Sequence, residues 1–177
     1  MSRPTSLLAA DIETASPDQL AIRKYWSERK DGDRLPGRQH IRPEDIPDLL
    51  PRISLVDVVP GPAGRRFRSR LIGTELVHRF GRNITGKFGD ELYTPEYLEQ
   101  LNATYNGIIE AREARLFRCS TMTANNYLLR YSRIIMPLAR DGMTVDMLLV
   151  LFEFEGDRMH WDAHCDEGRS HWQAPRR

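Results

Sequence analysis

The chain is predicted to be an α+β domain in which a five-stranded antiparallel sheet packs helices on one face, with an amphipathic helix at its amino-terminal side. Three observations predict it. Strand patterns fall in two blocks, residues 52–72 and 116–155, with helical periodicity between them over 73–112, and blocked rather than alternating elements favour antiparallel pairing. Turn chemistry closes each block into hairpins: Pro60-Gly61-Pro62-Ala63-Gly64 in the first and Asp141-Gly142 in the second, where Gly tolerates positive φ. Finally, Ser16-Pro17-Asp18-Gln19 combines an N-cap Ser, a first-turn Pro and a Gln at N3, which together satisfy orphan backbone donors at a helix start.

Residues 1–15 lack periodicity and are expected to form a mobile arm. The helix from Ser16 runs to about Lys30, carries an apolar stripe through Leu20, Ile22, Tyr25 and Trp26, and stops at Asp31-Gly32-Asp33. Residues 34–41 are too rich in Pro and Gly for a long element, and Pro43 to Pro47 allows only one or two turns. From Arg52 the β-branched run Ile53 to Val59 and, after the turn, Phe67 to Ile72 predict a hairpin. Thr74 to Phe80 gives a short helix stopped by Gly81, and Thr94-Pro95 opens a longer one with Leu98, Leu101, Tyr105, Ile108 and Ile109 on its inner face. Strands are expected over 116–122, 127–138 and 143–155, and residues 156–177 form a polar tail. The domain itself is therefore 16–155.

With 177 residues, 26 Lys plus Arg and 25 Asp plus Glu, the chain has one core and almost no net charge. There is no cationic surplus for phosphate neutralisation, so nucleic acid is not the expected partner. The longest apolar run, Met147 to Phe152, is far short of the roughly 20 residues a spanning helix needs, so no membrane partner is expected. No secretory or transit segment is visible, and Cys119 and Cys165 have no C-x-x-C spacing. A cytoplasmic location with free thiols is the expectation.

Several fragments taken as a set, Arg34-Leu35-Pro36-Gly37-Arg38, Leu50-Pro51-Arg52-Ile53, Leu55-Val56-Asp57, Arg70-Leu71-Ile72-Gly73-Thr74 and Gly81-Arg82-Asn83-Ile84-Thr85-Gly86, resemble the PAS superfamily of sensor domains and, within it, a bacterial family of stand-alone PAS proteins. The resemblance covers about residues 17 to 155. It implies a PAS-like fold and a sensory or scaffolding module rather than a defined reaction. Gly81-Arg82-Asn83-Ile84 is similar to the G-R-N-C stretch of flavin-binding blue-light sensors, but Ile84 stands where the adduct-forming cysteine would be, which excludes that photochemistry and disfavours flavin. Many haem-binding PAS proteins take their iron ligand from the long helix, and residues 95–112 contain no histidine; His78 is the remaining candidate. The cofactor is left unknown.

The ligand-binding set read from the sequence is Asp57, Arg70, His78, Phe80, Tyr105, Ile109 and Met147. A turn centred near residues 63–64 places Asp57 opposite Arg70, either as a cross-strand ion pair or with Arg70 offering its planar fork to a ligand carboxylate or phosphate. Phe80, Tyr105, Ile109 and Met147 line the space between helices and sheet, or simply fill the core. Leu20, Ile22, Tyr25 and Trp26 dock on the chain's own sheet or form a homodimer interface. His160-x-x-x-His164 with Cys165 and His171 has the residue types of a zinc site, but interleaved acids and the lack of a fixed fourth ligand favour a solvated tail, and no metal is expected. No nucleophile elbow or P-loop is present, so no enzyme is expected; the enzymatic alternative is an α+β cone pairing Asp57 with His78 as acid and base. With 22 residues after Glu155, no output domain is expected to follow, so a signal would leave by contact with a partner protein. A ligand-free adaptor is the other alternative.

Overall fold

The computed structural model describes residues 5–62, 64–122 and 128–156. The polar tail with its His160, His164, Cys165 and His171 lies outside the described residues. Six strands form one antiparallel sheet in the order β1-β4-β5-β6-β2-β3, where β1 is Thr5–Ala10, β2 Ile53–Gly61, β3 Gly64–Ile72, β4 Arg115–Met122, β5 Leu128–Leu138 and β6 Met147–Phe154. Three helices, α1 (Pro17–Ser27), α2 (Thr74–Phe80) and α3 (Pro95–Ala111), cover it, with single 3₁₀ turns between.

The sixth strand, β1, comes from the segment expected to be a mobile arm. It pairs with the outer edge of β4 from Thr5↔Thr121 to Ala10↔Leu116, the Ser6 and Ser120 hydroxyls meet at 2.8 Å, and Leu7 is buried. Six residues with three consecutive intermediate-propensity positions, Leu8, Ala9 and Ala10, carry too little β-branched character to announce a strand; the exposed edge of β4 imposes it.

Strand alternation divides the sheet into two faces. On one, β5 presents Ser132, Ile134 and Met136, matched through the β5–β6 register with Glu153, Leu151 and Leu149. Helix α1 lies here. Its capping box is reciprocal, Gln19 N–H to Ser16 Oγ at 3.2 Å and Ser16 N–H to Gln19 Oε1 at 3.1 Å, and the fully buried Gln19 amide then donates to Ser132 Oγ at 3.1 Å. Trp26 Nε1 donates to the Pro137 carbonyl at 2.9 Å. Arg52 ties the helix start down, reaching Glu153 and Asp18 at 2.5 Å each. The apolar stripe is thereby used within the chain: Ile22 and Trp26 are buried, Tyr25 is half-buried with its hydroxyl on Asp45 at 3.0 Å, and Leu20 alone of the four stays exposed. Within the single chain, docking of α1 on the sheet covers Ile22 and Trp26.

The other face carries Tyr131, Arg133 and Ile135 from β5 and Val150, Phe152 and Phe154 from β6, beneath α2 and α3. Since β5 and β6 are covered on both sides, Arg133 to Leu138 and Met147 to Phe152 are continuously buried, as central strands should be.

Two connections differ from expectation. β5 and β6 close with Leu138↔Met147, so Asp141-Gly142 is a turn inside a longer loop rather than the whole hairpin. Asp141 Oδ1 accepts from the Met143 and Thr144 amides at 2.8 and 2.7 Å, and the loop is held by Leu35 N–H to Gly142 O and by Arg112, which donates to the Met143 and Gly142 carbonyls. In the first hairpin, Gly61 pairs with Gly64, which sets Asp57 opposite Arg68 rather than Arg70. The register then slips between Leu55 and Val56, whose partners are Leu71 and Ser69. Arg70 is the extra residue of that bulge.

Gly73 shows why a fragment such as Leu71-Ile72-Gly73-Thr74 is built as it is. A Cβ there would stand 2.2 Å from the Pro51 carbonyl oxygen, because the Gly73 amide donates to Ile53 O at 2.8 Å where β3 turns into α2. Gly81, at φ 70°, closes α2 in the left-handed geometry that Gly adopts without strain.

Candidate functional site

The seven residues expected to bind a ligand do not converge. Asp57 and Met147 pair across β2 and β6 and, by alternation with Leu55 and Leu149, belong to the α1 face. Asp57 is buried and accepts from Arg68 Nε and Nη2 at 3.2 and 2.8 Å. Arg70 is exposed on its bulge and His78 is exposed on α2. Phe80, Tyr105 and Ile109 do share the α2/α3 side: Phe80 packs on Tyr131, Phe152 and Phe154 with ring centroids 5.6 to 6.0 Å apart, while Tyr105 and Ile109 are buried on α3.

What organises that side is a residue the sequence reading passed over. Arg133 is 5% exposed, and neither its Nε nor its Nη2 has a hydrogen-bond partner among the described residues. Its guanidinium carbon lies 5.8 Å from the Tyr105 ring centroid, and its strand places it between Tyr131 and Ile135 and opposite Phe152. The signal was present: with period 2, Arg133 shares a face with Tyr131 and Ile135, inside a strand otherwise apolar to Leu138. The polar neighbours Arg130 and Ser132 suit a solvated strand end equally well.

The surrounding groups do not neutralise it. Burial pushes the Tyr105, Tyr131 and Cys119 side chains up, against an opposing pull from the Arg133 charge, so all three stay uncharged near neutral pH. Burial acts on Arg133 itself in the direction of charge loss, but the attraction of Tyr105, Tyr97 and Cys119 once they ionise at high pH outweighs it, so the guanidinium is held above its ordinary value. An arginine does not deprotonate at accessible pH. Among the described residues no carboxylate forms an ion pair with Arg133, whereas the other buried arginine of this side, Arg79, is paired with Glu75 at 2.9 Å and stacked 4.3 Å from the Phe154 ring centroid. An isolated buried charge costs several kcal/mol by order of magnitude.

The cover over this face is its least tightly packed part. None of residues 80–100 is fully buried: Phe80, Tyr93 and Tyr97 pack on the core only half-covered, while Lys87 and Phe88 run along the edge of β3, with Phe88 beneath the Arg66 guanidinium at 3.9 Å. Tyr93 and Tyr97 meet edge to face at 5.1 Å, and burial raises the Tyr97 hydroxyl, with Arg133 acting against it.

A concavity of ≈ 460 Å³ opens on the opposite face between the 3₁₀ turns and the β2–β3 hairpin, lined by Ile41, Ile46, Leu50, Ile53, Leu55 and Leu71 among others. It is apolar and contains no buried group lacking a partner. Among the described residues no cluster of His, Cys, Asp and Glu has the makings of a metal site, and no helix is long and apolar enough to cross a membrane.

No curated protein matches the chain. Among solved structures, it is similar to the Rhodobacter sphaeroides LOV protein at 16% identity, over 64% of this chain and 67% of that one, with a TM-score of 0.46. A LOV domain described in a study of light-oxygen-voltage mechanism with a flavin analogue matches at 11% identity over 70% and 90%, TM-score 0.47. An RNA-binding light-oxygen-voltage receptor matches at 12% identity over 94% of this chain but 42% of its own, TM-score 0.45. The family model for a PAS domain matches residues 14–152, from just before the α1 capping box to the last turn of buried β6 residues, and on that match the chain belongs to the PAS domain family.

Proposed function

We propose that this chain is a sensory PAS domain that takes a small molecule between its sheet and the α2/α3 side and passes its occupancy on by contact with a partner protein. The observation that carries this reading is the contrast in packing on that side: Tyr131, Arg133 and Phe152 are buried on the sheet, yet Phe80, Tyr93 and Tyr97, which pack against that core, are only half-buried. A cover of half-buried side chains opens at less free-energy cost than a core helix, and a ligand that binds one arrangement of it better shifts the population toward that arrangement. The reading is non-enzymatic, and it is supported by the apolar and aromatic character of the described residues on that side.

The test is to denature freshly purified protein and identify any released small molecule by mass spectrometry, then to add it back and follow amide hydrogen exchange. A stoichiometric ligand that slows exchange across 80–100 supports the reading. A ligand-free preparation whose 80–100 amides exchange as slowly as those of β5 and β6 would overturn it.

A further inference from the structure

We infer that the unpaired edge of the Arg133 guanidinium is a receptor for the carboxylate of a small, planar, aromatic acid. This rests on the ligand-binding reading above and narrows it to a chemical class.

The two donors without partners among the described residues, Nε and Nη2, lie on the same edge of the guanidinium. Their hydrogens point in parallel, which is the geometry a carboxylate accepts with both oxygens. The chain itself shows this edge facing a carboxylate: on the other face Arg68 directs the same two atoms, Nε and Nη2, at one oxygen of Asp57, Oδ2, at 3.2 and 2.8 Å. Arg133 offers the identical pair of donors from inside the protein. One cation calls for one negative charge, since Arg79, the other buried cation of this side, is already matched by Glu75. That favours a monocarboxylate over a phosphate dianion.

The walls define the rest of the molecule. Arg133 stands between Tyr131 and Phe152 on the sheet, and Tyr131, Phe152 and Phe80 pack ring against ring at 5.6 to 6.0 Å, with Tyr105 beside the guanidinium on α3. Planar π surfaces are the partners such rings favour. The Cys119 thiol and the Tyr97 hydroxyl hydrogen-bond to Arg133, but burial keeps these groups and the Tyr105 and Tyr131 hydroxyls uncharged near neutral pH, so among the described residues no anion competes with the acid for the cation.

The experiment uses the full chain, stripped of small molecules by dialysis from urea and refolded, and three acid and amide pairs: benzoate with benzamide, 4-hydroxybenzoate with its amide, and trans-cinnamate with cinnamamide, together with phenyl phosphate. Calorimetric titration at neutral pH is expected to show at least one acid binding about 30-fold or more tightly than its amide and than phenyl phosphate, because a desolvated charge pair loses that much when one partner is removed. In Arg133→Met the acid and the amide should bind alike. Without ligand, Arg133→Met should melt at the same temperature as the stripped wild type or higher, since an unbranched apolar side chain replaces an unneutralised charge. Equal binding of acid and amide by the wild type overturns the inference while leaving a ligand site in place. Tighter binding of phenyl phosphate, or no acid binding at all, overturns it as well. So does a lower melting temperature, or failure to fold, in Arg133→Met, because it would mean that the chain, for instance an acid among residues 157–177, already neutralises the guanidinium. The broader sensory reading falls only on the exchange and extraction results described for it.

Discussion

The two faces of this sheet bury polar groups under opposite rules. Against α1, polar atoms are interlocked: Ser16, Gln19 and Ser132 exchange hydrogen bonds, and Arg52 joins Asp18 to Glu153. Against α2 and α3, both side-chain groups buried without a partner among the described residues are found, Ser69 Oγ and the Arg133 guanidinium, Ser69 belonging there through its pairing with Val56. The difference teaches where specificity is spent. A satisfied network fixes one arrangement of helix on sheet, while an unsatisfied one leaves a defined chemical demand for something else to meet.

Alkaline titration should separate the faces most sharply, because it acts on the tyrosines of one. Burial raises the folded-state values of Tyr105 and Tyr131, so above the unfolded value near 10 the unfolded chain releases protons that the folded chain keeps. Stability is therefore full below about pH 10 and falls as pH rises beyond it, by about 1.4 kcal/mol per pH unit for each such tyrosine until the folded value is reached. Urea midpoints measured from pH 8 to 11.5 check the slope, and Tyr105→Phe should flatten it by one tyrosine's share. An unchanged slope in Tyr105→Phe would place that hydroxyl in water.

On the α1 face the largest single loss should come from Trp26→Ala. It empties a buried aromatic site and leaves the Pro137 carbonyl without its 2.9 Å donor, so a destabilisation of about 3–5 kcal/mol is expected. Chemical denaturation gives the number directly. A loss below about 1 kcal/mol would show that α1 is only loosely applied to the sheet, and the contrast between the faces would disappear. Gly73→Ala should cost less, about 1–3 kcal/mol, since the added methyl meets the Pro51 carbonyl at 2.2 Å and backbone must shift to admit it. Retention of wild-type stability would mean that the corner between β3 and α2 yields freely.

How much of this could be read from the residues depends on whether the cause was local. The α1 capping box, the Gly81 stop and the inner face of α3 were legible because each is written within a few neighbouring positions. β1 was not, since its strand character is borrowed from the free edge of β4. The partner of Asp57 was missed because the turn is two residues shorter than the one expected, which moves the pairing from Arg70 to Arg68, and turn length leaves no mark in composition. Tyr105, Ile109 and Phe80 could be placed on the helix side from periodicity, but Asp57 and Met147 crossed to the other face, because the parity of a strand is settled by its register. Arg133 was within reach of the same rule that placed Tyr131, yet one charged residue in a strand reads as a solvated position until both faces are known to be covered.

The smallest effect expected is also the one that calibrates the comparison. Arg68 and Asp57 form the same two-donor contact that Arg133 leaves open, but the Arg68 side chain is 42% exposed. A double-mutant cycle of Asp57→Ala and Arg68→Ala should therefore return a coupling of only about 0.2–1 kcal/mol, shrinking further in 0.5 M salt as exposed charges are screened. Identical donor geometry with weak coupling in water isolates solvent as the variable: a carboxylate reaching Arg133 would meet the same fork after desolvation, where charge-assisted bonds are stronger. A salt-insensitive coupling above about 2 kcal/mol would instead show that Arg68 already works as a buried group does, and the two arginines would then differ in occupancy alone.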